Sequence, residues 1–185
     1  REGPAPENIK PTFELSSPPL AEIVRDINKY SNNVMAQQVF LSLPLHSAYR
    51  SGAARITPDD ARAFLREWFA QRVGGATDGL VIDNGSGLSR DARITGNMFA
   101  RLLQSAWSSP VMPELMSSLP VTGLDGTLRR SKASSGRAHL KTGSLRDVNG
   151  VAGYVLGASG KRYVLVALVN HPNAAAAKPV LDAAV

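Results

Sequence analysis

The chain has 185 residues, 43% hydrophobic, 19% charged and 6% aromatic, which suits one globular domain of roughly 100–200 residues and excludes disordered, collagen-like and coiled-coil classes. Cysteine is absent, so disulfides, thiol nucleophiles and thiolate zinc sites are excluded while the compartment stays open. The net charge of +6 favours anionic partners, and the longest strongly apolar run, Tyr163 to Val169, is far short of the ~20 residues that span a bilayer, so no transmembrane segment is predicted.

Arg1 to Pro19 holds five of the twelve prolines and no periodicity, and reads as an extended connecting segment, with 1–18 ahead of the first helix. Leu20, Ile23, Val24 and Ile27 then follow the i, i+3, i+4, i+7 spacing of one helical face. A second helix is predicted from about Val34 to Leu43, the two meeting at Tyr30-Ser31-Asn32-Asn33, where short polar side chains compete with the helical backbone. Thr57-Pro58-Asp59-Asp60 predicts a helix start, with a hydroxyl cap, proline in the first turn and acids at the positive dipole end. That helix should run to about Val73 with Phe64, Leu65, Trp68 and Val73 inward, stopped by Gly74-Gly75.

Leu80-Val81-Ile82 reads as a short strand entering the turn-rich Asp83-Asn84-Gly85-Ser86-Gly87. Thr95 caps a further helix that buries Met98, Phe99, Leu102, Leu103 and Ala106 and ends at Pro110. Beyond Pro120 the period changes to that of strands: His139–Thr142, Val148–Leu156 and Arg162–Asn170, the last two joined as a hairpin through Gly157-Ala158-Ser159-Gly160. Both faces of the third strand are apolar, which predicts cover on both sides and helices flanking the sheet. A final helix is predicted from Asn173 onward, with the chain stopping inside it.

The chemistry-bearing residues are few. His46, His139 and His171 are the only imidazoles and no two have ligand spacing, so no metal site is expected. Gly85-Ser86-Gly87 lacks the remaining glycine of a dinucleotide loop and the lysine of a phosphate loop. Arg129, Arg130, Lys132, Arg137, Lys141 and Arg146 form an acid-free basic stretch around His139, but no Phe, Tyr or Trp lies between Trp107 and Tyr154 to stack bases, which argues against nucleic acid as a partner. Two triplets remain, Ser31-Asn32-Asn33 at the interhelical break and Lys141-Thr142-Gly143 on a strand before a hairpin. They match two of the three motifs of penicillin-binding proteins and serine β-lactamases. Taken alone, Ser31 reads equally as a helix cap and Lys141 as a strand-end lysine.

Longer strings extend the match: Ser17-Pro18-Pro19-Leu20, Ile27 to Asn33, Asp83-Asn84-Gly85-Ser86-Gly87-Leu88-Ser89-Arg90, Asp125-Gly126-Thr127-Leu128 and His139 to Ser144. Over Ser17 to Asp182 the chain resembles the C-terminal portion of the D-alanyl-D-alanine carboxypeptidase/endopeptidases of the penicillin-binding protein 4 type. The resemblance implies an α+β, β-lactamase/transpeptidase-like fold with an antiparallel sheet between helices, and a periplasmic or cell-wall serine peptidase that acts on peptidoglycan stem peptides, is acylated by β-lactam antibiotics and needs no cofactor. It implies that Ser31 relays a proton to the departing D-alanine nitrogen, Asn33 binds the substrate amide carbonyl, Lys141 and Thr142 hold the terminal carboxylate, Gly143 leaves room at the strand edge, and the Ser144 N–H supplies half of the oxyanion hole. No serine here has lysine three positions on. The 185 residues are therefore expected to be the C-terminal part of a discontinuous penicillin-binding domain, from a processed or shortened chain, inactive without the part that carries the nucleophile. The alternative is a non-catalytic module that holds peptidoglycan stems. His139 is expected to be packed or hydrogen-bonded rather than catalytic, and the Gly85–Leu88 and Asp125–Leu128 strings to be turns.

Overall fold

A computed structural model describes residues 9–45, 55–75 and 77–185; Arg1 to Asn8 of the connecting segment and His46 lie outside them. Residues 9–19 are exposed and carry neither helix nor strand, consistent with their proline content. Helix α1 (Leu20–Tyr30) half-buries Ile23, Val24 and Ile27 and leaves Leu20 exposed. It stops at Ser31, in the left-handed conformation at φ 53°, ψ 50°, and the Asn32 N–H reaches back to Ile27 O at 3.1 Å in the 6→1 bond of a Schellman turn. Asn32 at once caps helix α2 (Asn33–Ser42), its side-chain oxygen accepting from Met35 N at 3.1 Å. The polar break is thus a C-cap and an N-cap in consecutive residues.

Helix α3 (Pro58–Arg72) opens with the capping box Thr57/Asp60. It buries Ala61 and Phe69, on the i, i+8 stripe through half-buried Leu65, whereas Trp68, expected inward, is 38% exposed because that stripe leaves it off to the side. Gly74 and Gly75 follow at φ 68° and 78°. The strand expected at Leu80–Ile82 is only a bridge of Val81 to Arg93 that closes the intervening loop; Gly85 and Gly87, at φ 70° and 80°, bend the chain before a ladder can form. Helix α4 (Gly96–Trp107), capped by Thr95, buries Met98 and Leu103 and half-buries Phe99, Leu102 and Ala106. Helix α5 (Met112–Ser118) was not signalled by the sequence: seven residues give little periodicity, and Pro113 reads as a breaker although the first turn tolerates it.

The sheet is antiparallel in the order β1 (Ala138–Leu145), β2 (Val148–Leu156), β3 (Arg162–Asn170). β1 runs three residues past its expected end at Thr142, because the tight turn to Val148 keeps Gly143, Ser144 and Leu145 paired with Gly150, Asn149 and Val148. β2 is the central and best-buried strand. β3, expected to be covered on both faces, is an edge strand whose apolar residues are half-buried or exposed, since no described strand pairs with its outer side. One face of the sheet, through Ala152 and Tyr154, packs on Leu103 of α4 and Leu119 after α5; the other, through Leu140, Val151 and Val155, packs on Leu128 and on Leu181 of α6 (Lys178–Ala183). Tyr154 is fully buried, its hydroxyl donating to Leu103 O at 2.7 Å and its ring tilted against Trp107 at 5.4 Å between centroids. The final helix starts as a 3-10 turn over Ala174–Ala177 and ends at Ala183.

Candidate active site

The polar break between α1 and α2 meets the sheet at β1. Lys141, half-buried on the α4/α5 face, donates Nζ–H to Ser31 Oγ across 110 sequence positions and a second hydrogen bond to Thr142 O at 3.0 Å. Burial lowers the Lys141 pKa below the ordinary lysine value, with no counter-ion among the described residues to offset the desolvation. Ser31 is the only non-glycine residue among those described with positive φ, and such strain persists where neighbours over-determine it. Its hydroxyl can accept from Lys141 while donating to a further group.

The strand register decides what β1 offers. Leu156 N–H donates to Arg137 O at 2.8 Å, so in the alternation of an antiparallel ladder residues 139, 141, 143 and 145 bond to β2, while 138, 140, 142 and 144 turn their N–H and C=O to the outer edge. At the start of β1 that edge is occupied: Thr122 N–H donates to Ala138 O at 3.0 Å and Leu140 N–H to Pro120 O at 2.9 Å. At Thr142 and Ser144 it is open, and neither N–H has a backbone partner among the described residues. Gly143, between them, has nothing within 4 Å of the position a Cβ would take. An extended peptide can add there as a further strand. In front lies a cleft of about 700 Å³ lined by Arg90, Arg93, Phe99, Lys141, Gly143 and Leu168, among others.

Asn33, two residues after Ser31, gives one amide N–H to Ser86 O at 2.6 Å, which leaves the other for a ligand. Ser86 is itself held by Asn84, whose Oδ1 accepts from Ser86 N at 3.0 Å and Oγ at 2.7 Å. Gly85, at φ 70°, packs so closely on Phe40 that a Cβ would fall 2.4 Å from its side chain. His139 is half-buried and donates Nδ1–H to Met116 O at 3.1 Å. Arg137 of the basic stretch is spent on the end of β2, bonding Leu156 O at 3.0 Å and Gly157 O at 2.7 Å; Arg129, Arg130 and Lys132 are exposed.

Three contacts carry no local sequence signal. Arg90 pairs with Asp147 at 2.7 Å, tying the 83–93 loop to the β1–β2 turn. Thr127 and Thr142 share a hydroxyl–hydroxyl bond of 2.8 Å. Lys29 donates to Asp125 Oδ2 at 2.6 Å and to Leu119 O at 2.7 Å, while Asp125 Oδ1 accepts from Val121 N at 2.8 Å. Burial alone would raise the Asp125 carboxyl, but the hydrogen bonds from Lys29 and Val121 outweigh it and hold the group below its ordinary value. The stabilisation from this group is therefore complete above the unfolded carboxyl pKa of about 4 and is lost as pH falls through the lower folded value. We expect Asp125→Asn to lower the melting temperature by a constant amount between pH 6 and 8, with the gap to wild type closing below about pH 4; a gap that persists unchanged at pH 3 would show that the charge contributes nothing.

Residues 2–185 match the D-Ala-D-Ala carboxypeptidase 3 (S13) family. The chain belongs to this family. A D-alanyl-D-alanine carboxypeptidase from Actinomadura sp. is 34% identical over 154 residues, covering 79% of this chain and 28% of the relative. Carboxypeptidase DacB from Mycolicibacterium smegmatis is 30% identical over 179 residues, covering 92% and 37%. Among solved structures, penicillin-binding protein 4 from Haemophilus influenzae in complex with a β-lactam superposes with a TM-score of 0.71 at 20% identity, over 82% of this chain and 35% of that one. A predatory endopeptidase from Bdellovibrio bacteriovorus, acylated by penicillin G, superposes with a TM-score of 0.64 at 20% identity, over 90% and 42%. The transpeptidase-like α+β fold expected from the sequence is thereby shown. The chain spans 28% and 37% of the lengths of those two relatives.

Proposed function

We propose that these residues form the substrate side of the active site of a serine-type D-Ala-D-Ala carboxypeptidase/endopeptidase that acts on peptidoglycan, on the periplasmic or cell-wall side of the membrane. In this reading the acylating serine and its lysine come from protein outside the 185 residues, since no Ser-x-x-Lys occurs within them. The carrying observation is the contact between Lys141 and Ser31, an ammonium-backed hydroxyl beside an open strand edge. The S13 family match and the β-lactam complexes among the similar structures support both the peptidoglycan stem and penicillin as ligands.

The step follows from the groups present. The nucleophile's hydroxyl gives its proton to its own lysine as its oxygen bonds to the carbonyl carbon between two D-alanines, and as the C–N bond breaks Ser31 delivers its proton to the departing nitrogen while accepting one from the Lys141 ammonium; without protonation the amide leaving group is too basic to depart. The Ser144 N–H faces the edge where the carbonyl oxygen develops charge. Lys141 and the Thr142 hydroxyl attract the terminal carboxylate, Gly143 lets the peptide backbone approach, and the free Asn33 N–H fixes its carbonyl. Intact mass with benzylpenicillin tests the proposal. The isolated 185 residues should gain no adduct, the intact protein should gain one penicillin, and Ser31→Ala in the intact protein should slow acylation about a hundredfold. Acylation of the isolated chain, or a Ser31→Ala variant as fast as wild type, would overturn it.

A further inference from the structure

Ser31 and Lys141 must meet, yet they stand on a helix end and a strand 110 positions apart, and Ser31 adopts the left-handed backbone conformation that non-glycine residues avoid. We propose that the Asp125–Thr127 turn is the device that sets their separation, with Asp125 a positioning residue acting through Lys29. This rests on the reading of Ser31 and Lys141 as the leaving-group pair.

The last turn of α1 is held by one stretch of chain. Asn28 Nδ2 donates to Ser118 Oγ at 2.8 Å, and Lys29 donates to both Leu119 O and Asp125. Ser118 and Leu119 are buried and the Lys29 side chain is only 12% exposed, so the ammonium is anchored at a fixed place. Gly126, at φ 53°, lies directly against Lys29: a Cβ there would fall 2.7 Å from Lys29 O and 3.2 Å from Lys29 Cα, two residues before Ser31. On its other side the same turn grips β1. The second Asp125 oxygen takes the Val121 N–H, Val121 pairs with His139, and Thr127 bonds Thr142, the residue after Lys141. A carboxylate with one oxygen on each side thus links the backbone that carries Ser31 to the segment that is paired with the strand carrying Lys141. A misplacement of the order of 1 Å at such a pair is enough to cost about a hundredfold in rate.

The test uses the intact protein and benzylpenicillin, comparing Asp125→Asn, Lys29→Met and the double variant, and reads two quantities: the fraction of sites labelled at saturation and the acylation rate per labelled site. Asp125→Asn, being isosteric, keeps the turn foldable should Lys29→Met fail to fold. We expect each single variant to label fully and to acylate about 30-fold more slowly at saturating penicillin, with half-saturation within about twofold of wild type, and the double variant to be no slower than Lys29→Met alone, since that variant already lacks the ion pair that Asp125→Asn removes. Per-site rates within twofold of wild type alongside a lower melting temperature would make the ion pair merely structural and overturn the proposal, as would losses that multiply in the double variant. Ser31→Ala in the same assay separates the two readings: at wild-type rate it defeats the leaving-group assignment itself, whereas a slow Ser31→Ala beside a fast Asp125→Asn defeats only the positioning role.

Discussion

Replacing Lys141 by alanine in the intact protein lowers the acylation rate by benzylpenicillin about a thousandfold, equivalent to about 4 kcal/mol of transition-state stabilisation. The size follows from what the ammonium touches. It donates to Ser31 Oγ and to Thr142 O, with desolvation strengthening both bonds, and in the proposed step its removal takes away the proton source behind the leaving group together with the charge that attracts the carboxylate. Because Lys141 is half-buried beside open cleft rather than part of either apolar core, the alanine variant should keep its fold, checked by circular dichroism. The pH profile supplies a second reading. Burial lowers the lysine's pKa, so the protonated form that the mechanism needs is lost earlier as pH rises than for a free lysine of about 10.4. The alkaline limb of the acylation rate should accordingly fall below that range, and Lys141→Arg, which stays charged, should move it upward at a reduced rate. An alanine variant within threefold of wild type would remove Lys141 from the mechanism.

The sequence made most of the scaffold legible because its signals were local. The Thr57 and Thr95 caps, the 3.6-residue period of α1 and the short apolar runs of β2 and β3 involve residues within a few positions of one another, and the elements start where those signals stand. What remained hidden depended on partners far away in the chain. β1 extends through Gly143 and Ser144, residues with little strand preference of their own, because the β1–β2 turn and the facing Gly150 and Asn149 hold them in register. β3 looks like an interior strand from its composition but sits at an edge, since a continuous apolar run reports which residues are apolar and not which strands are neighbours. The same limit applies at the site. Ser31 and Lys141 were recognisable as motif residues, whereas the Lys29–Asp125 pair that joins their elements spans 96 positions, and each of its members alone is an ordinary surface charge. Asn33 shows the converse: its motif position was legible, but the Ser86 carbonyl that takes one of its two N–H donors was not.

Two glycines in the β1–β2 hairpin separate what the fold requires from what the reaction requires. Gly153, at φ 153°, stands opposite Leu140, and a Cβ there would fall 2.1 Å from His139 O and 3.0 Å from Leu140 Cα, both backbone atoms that cannot turn aside. Alanine must force the two strands apart in the best-buried part of the sheet. This predicts a loss of about 4 kcal/mol, or about 10 °C in melting temperature. Gly143 has free space where its Cβ would stand and an ordinary backbone conformation, so Gly143→Ala should melt within about 2 °C of wild type. Its methyl would, however, project from the Lys141 face into the cleft beside the open Thr142–Ser144 edge, where the proposed geometry lays the peptide or penicillin, and acylation should slow about tenfold or more. Melting curves and acylation rates measured on both variants should therefore move in opposite patterns: stability lost at Gly153, and rate lost at Gly143 with stability kept. A Gly143→Ala variant that acylates at the wild-type rate would show that substrate does not add to this edge of β1, and the strand-addition geometry would have to be abandoned even if Ser31 and Lys141 retained their roles.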